Sequence, residues 1–93
     1  MASTHSFLST MRELVQMGNR LNVILTGAIE SSEQYGIDTV EKLGELTTRS
    51  RRLQEEFSLF KENIVSGRTV SILDLEKIKK DMQQILLDTL NVV

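Results

Sequence analysis

A chain of 93 residues with 40% apolar and 26% charged residues fits one folded domain and is too apolar for a disordered segment. Its formal net charge of −2 gives no global attraction to nucleic acid or to an anionic membrane. There is no cysteine and a single histidine, His5, so neither a disulfide framework nor a zinc-type ligand set can staple the fold. A domain this small must then be held by packing of apolar faces, within one chain or across two.

In chain order, the first predicted element is a helix over about 6–32, preceded by a flexible N-terminus at 1–5. Phe7, Met11, Leu14, Gly18, Leu21, Leu25 and Ala28 follow the alternating four-and-three spacing of one helix face. Leu8, Val15, Met17, Ile24 and Ile29 flank that stripe on both sides, so nearly half the circumference is apolar. Glycine inside a helix costs roughly 1 kcal/mol relative to alanine. Gly18 within the stripe therefore reads either as a close approach by another backbone or, in preference, as a tolerated weakness or local bend.

Gly36 breaks the pattern, and Asp38 with Glu41 three residues on forms an acidic capping box for a second helix over about 38–66. Its stripe is Leu43, Leu46, Ser50, Leu53, Phe57, Phe60 and Ile64, a band of roughly 100°. Ser50, small and polar in that seam, is expected opposite a bulky side chain such as Phe7 or Met11. Gly67 closes the helix, and Ser71 is the expected N-cap of a third over about 71–91, with Asp74 and Glu76 in its first turn. Leu75, Ile78, Met82, Ile85, Thr89 and Val92 continue the same spacing there, widened by Leu86, Leu90 and Ile72. No segment alternates as a strand does, and the short connections favour antiparallel neighbours. The expected fold is an all-α, antiparallel three-helix bundle forming a single domain over 1–93, with dimerisation as one way of completing its core.

Chemistry is poorly provisioned. Catalytic Ser–His or Cys–His pairs and a metal site would need partners that His5 lacks. No Asp-rich calcium loop and no phosphate-cradling glycine pattern occurs, so no enzyme, cofactor, metal or small-molecule substrate is expected. Arg49, Arg51 and Arg52 form the densest basic cluster, but they diverge around the helix. Each also has an acidic neighbour at helical spacing, as Glu45 with Arg49, Arg51 with Glu55 and Arg52 with Glu56. Met1–Arg12 shows no cationic start leading into a long apolar run, and no apolar run exceeds three residues, as in Val23-Ile24-Leu25. A membrane span needs roughly 18. The expectation is a cytoplasmic protein without a membrane partner.

The surplus apolar perimeter of the first helix points to a protein–protein interaction module, with a second copy in a homodimer as the foremost partner. The second helix also looks longer than the third can cover, which would leave part of its seam open. The residues expected at the interface are Leu8, Val15, Met17, Ile24 and Ile29, with Leu87 and Leu90 beside them. The alternatives are a nucleic-acid-binding regulator using Arg49 and Arg52, with Lys61 near them, and an inhibitor or immunity-type bundle. In size and hairpin character the chain is similar to small secretion chaperones, phage or viral accessory proteins and bacteriocin-immunity bundles. It carries no diagnostic motif of any of them, and without a tryptophan it lacks the Trp-x-Gly turn of the small helical-hairpin secretion substrates.

Overall fold

The computed structural model describes the backbone of residues 2–93 and the side chains of residues 6–93, so His5 and the expected flexible stretch at 1–5 fall outside the described side chains. Three helices pack against each other with no strand among the described residues: α1 (Ala2–Glu30), α2 (Ile37–Val65) and α3 (Ile72–Val92). The chain is an all-α three-helix bundle.

The helix ends are set by identifiable groups. α1 begins before the expected residue 6 and stops at Glu30, two residues short of the expected end. The chain then tightens into a single 3₁₀ turn, Ser32–Gln34, where Gln34 N–H donates to the Ser31 carbonyl and Tyr35 N–H to the Ser32 carbonyl. Consecutive serines are weak at holding an α-helix because their hydroxyls compete for backbone groups. α2 departs from the expected cap: Gly36 occupies the N-cap position and Asp38 lies inside the first turn, with no side-chain cap bond. The Gly36 carbonyl accepts from Val40 N–H, and Asp38 contributes as a negative charge near the positive end of the helix dipole.

At the other end of α2 the turn is a Schellman motif. Arg68 N–H reaches the Asn63 carbonyl and Gly67 N–H the Ile64 carbonyl, with Gly67 at φ +76°, the left-handed conformation that favours glycine. The Arg68 guanidinium bonds Asn63 Oδ1 across the same turn at 2.9 Å. Ser71 caps α3 as expected, its Oγ accepting from Leu73 N–H.

The expected stripes form the core. Leu14, Leu21 and Leu25 of α1, Leu43 to Phe60 of α2, and Leu75 to Ile85 of α3 are buried together. Phe7 packs on Phe60 with ring centroids 6.2 Å apart, rather than on Ser50. The expected open seam on α2 does not occur. Leu43 and Leu46 at its N-terminal end are buried, in a core that Ala28 and Tyr35 help to close. The turn after α1 thus covers the length that α3 does not reach.

Register is fixed by polar bridges at the rims. Lys79 Nζ meets Glu13 at 2.8 Å, tying α3 parallel to α1, and Arg49 meets Asp88 at 3.1 Å, tying α3 antiparallel to α2. These are the ion pairs of the described residues; the expected pairs within α2 do not form, and Arg49 reaches across to α3 instead. Both bridges are partly solvated, so screening by water keeps them minor contributors to stability. The assembled rod measures 49 × 23 × 17 Å, with a radius of gyration of 15.1 Å against about 12 Å for a compact chain of this length.

Candidate functional site

α3 packs more extensively on α1 and on α2 than those two pack on each other, so α1 and α2 stand apart on the face that α3 does not cover. Between them runs a groove of about 670 Å³, with Asn22, Thr26 and Ile29 on the α1 lip and Thr47, Arg51, Ser58 and Glu62 on the α2 lip. A smaller depression of about 110 Å³, lined by Val15, Gly18, Asn19, Gln54, Ser58 and Lys61, lies between the same two helices.

A side-chain amide latch crosses the groove. Gln54 Nε2 donates to Asn22 Oδ1 at 3.0 Å, and Asn22 Nδ2 donates back to Gln54 Oε1 at 3.2 Å. The same Gln54 Nε2 donates to Ser50 Oγ at 2.9 Å, which gives the buried serine a polar partner within its own helix. Gln54 lies beside Gly18, where a Cβ would sit 3.8 Å from its amide carbon, an ordinary contact. No backbone presses on Gly18, so the close-approach reading of this glycine does not hold and the tolerated weakness stands. A hydrogen-bonded amide pair in the middle of a helical seam fixes register at some cost in apolar contact.

The expected interface residues divide into three groups. Leu8, Val15 and Ile29 stand seven residues apart with Asn22 completing the series, and all three apolar members are exposed, at 58%, 44% and 46%. Such a series drifts only about 20° per step around a helix, so it forms one line along the flank of α1 that borders the groove. Met17 and Ile24 lie on the opposite flank and are half-buried, Met17 against the core. Leu87 and Leu90 are exposed near the end of α3 and line neither of the two depressions. The surplus perimeter is therefore covered on one side of α1 and open on the other.

Comparison of this chain with family models, with curated proteins and with solved structures finds no match. The geometry stands alone.

Two features of the groove were not anticipated from sequence: the latch and the charges of the α2 lip. Asn22 and Gln54 were detectable only in part, through the seven-residue series that contains Asn22. Gln54 needed the inter-helix register, which no single-chain pattern supplies. The α2 lip carries Arg51, Glu55 and Glu62, and among the described residues none of the three has an ion-pair partner within the chain. By contrast α1 is nearly free of charge on this stretch: residues 14–29 include Arg20 and no other ionisable side chain. Interface centres are depleted in charge and solvent-facing surfaces are not.

Of the basic residues weighed for nucleic acid, Arg49 and Lys61 are engaged within the chain and Arg52 lies among charges of both signs. Arg49 bonds Asp88, and Arg52 shares a shallow site on the α2–α3 seam with Glu56, Lys77 and Asp81, so the charges there alternate in sign. Lys61 places its ammonium 4.8 Å from the centre of the Phe57 ring. Among the described residues no three metal-type ligands cluster, and no helix is long and apolar enough to cross a membrane.

Proposed function

We propose that the chain is a non-enzymatic protein–protein interaction module, of the adaptor, chaperone or assembly-factor kind, that works through the groove between α1 and α2. The observation that carries this reading is the exposed line of Leu8, Val15 and Ile29 along one flank of α1, with Ile29 lining the open groove and Val15 the depression beside it. Single exposed aliphatic residues are normal on a protein surface. Three on one heptad line, beside a groove, match the helix-in-groove mode, in which anchors recur at helical spacing. The absence of a charged stretch on α1 favours burial over electrostatic capture of nucleic acid.

A photo-crosslinking amino acid at Val15 or Ile29 tests the reading in cells that make the protein. The expected result is a covalent adduct with a second polypeptide from either position, and none from a control at Lys80, an exposed residue of α3. Equal labelling at all three positions, or no adduct at Val15 and Ile29, would overturn it.

A further inference from the structure

We infer that the occupant of the groove is a second copy of this chain, docked groove to groove about a two-fold axis that crosses the bundle at the level of Gly18 and Phe57. The inference rests on the reading above and goes further by naming partner, orientation and pairing.

A two-fold interface must be self-complementary: if residue i meets j, then j meets i. On α1, the line Leu8, Val15, Asn22, Ile29 is symmetric about the point between Gly18 and Asn19. Antiparallel pairing of two such lines sets Leu8 against the partner's Ile29, and Val15 beside the partner's Asn22, whose amide stays on Gln54. On α2, Arg51 and Glu62 are symmetric about the point between Glu56 and Phe57, and so are Glu55 and Ser58, the other two polar side chains of that line. Antiparallel pairing there sets each Arg51 against the partner's Glu62.

The two midpoints coincide in height along the bundle. Gly18 and Asn19 share one depression with Gln54, Phe57 and Ser58. A single axis therefore satisfies the apolar line of α1 and the charges of α2 together, although the two helices have unrelated sequences.

Surface area is consistent with a dimer. The chain exposes 6604 Å², whereas a globular monomer of its 10.6 kDa mass exposes about 5,500 Å². The excess, on the order of 1,100 Å², is what an elongated rod exposes beyond a compact monomer, and it leaves room for the roughly 800 Å² a side that a standard interface buries. A charged partner would be met by a one-sided field; the two depressions between α1 and α2 together set Arg51 and Lys61 against Glu55 and Glu62, a balanced lining that suits a copy of itself.

Charge reversal gives the decisive test, because both residues are exposed and their replacement leaves the core untouched. Native mass spectrometry and sedimentation would be run on Arg51→Glu, on Glu62→Arg and on their equimolar mixture. Like charges face each other twice in each single variant, so self-association should weaken about tenfold or more. Both contacts become attractive in the mixture, so a heterodimer should form at least as well as the unmodified dimer. Helical circular dichroism and melting of each variant confirm that the fold survives. A purified chain that stays monomeric at micromolar concentration would overturn the self-docking inference. The wider interaction reading would survive that result if Val15 and Ile29 still cross-link to another protein. A dimer indifferent to both reversals, or a mixture no better than the single variants, would equally overturn it.

Discussion

Two glycines show how the same residue type serves opposite ends. Gly67 sits at φ +76° with open space around it, so only the backbone requires glycine there. Gly18 has ordinary helical geometry, and its environment would accept a methyl at 3.8 Å from Gln54. Alanine at Gly18 should therefore stabilise the bundle by about 0.5–1 kcal/mol through helix propensity. Alanine at Gly67 should destabilise it by about 1–2 kcal/mol, the cost of the left-handed conformation for a residue with a Cβ. Urea unfolding of the two variants checks both signs; a destabilising Gly18→Ala would mean that the latch holds Gln54 more rigidly than the contact distance implies. Gly67 was legible from sequence as a helix stop. The neighbour that Gly18 meets was not, because it depends on which side chain of another helix crosses it.

At the scale of the elements, the apolar stripes were legible almost residue for residue, because burial on one face imposes a 3.6-residue period on the sequence. The ends and rims were less so. Asp38 has the residue type of a cap and stands two positions too late, the preceding glycine having taken that place. Arg49 has an acidic neighbour in its own helix and bonds Asp88 of α3, since spacing within a helix says nothing about what a long side chain meets across a seam. Asp88 in turn has its carboxyl held below the ordinary aspartate range, first by the hydrogen bond from Gln84, then by the hydrogen bond and charge of Arg49. A folded-state pKa below the unfolded one means that the unfolded chain takes up this proton first. The stabilisation is therefore complete above about pH 4, the ordinary aspartate value, and is lost as pH falls through the lower folded value. Asp88→Asn should be less stable than the unmodified chain at pH 7, and the gap should narrow as the pH falls below about 4, when urea midpoints are compared. A gap that persists unchanged in acid would show that the bridge acts by packing rather than by charge.

At the scale of the whole molecule, three helices of unequal length close a core without a cysteine or a proline, and the rod they form is long for its mass. The first helix was legible as too apolar for its surroundings, and the structure divides that surplus. Met17 and Ile24 are half-buried, whereas Leu8, Val15 and Ile29 line the open side. The sequence could not make that division, because it turns on which flank of α1 the third helix chooses. Likewise the open groove follows from the order of packing: α3 lies against both neighbours on one side and leaves their other side apart, bridged at mid-length by a pair of amides.

Sedimentation equilibrium of the unmodified chain over a range of concentrations addresses the central claim most directly. If a second copy fills the groove, the mass should rise with concentration from the 10.6 kDa of one chain to twice that value and go no higher, since a two-fold contact closes on itself. A mass that stays at one chain throughout, or that climbs past two without limit, would contradict the account.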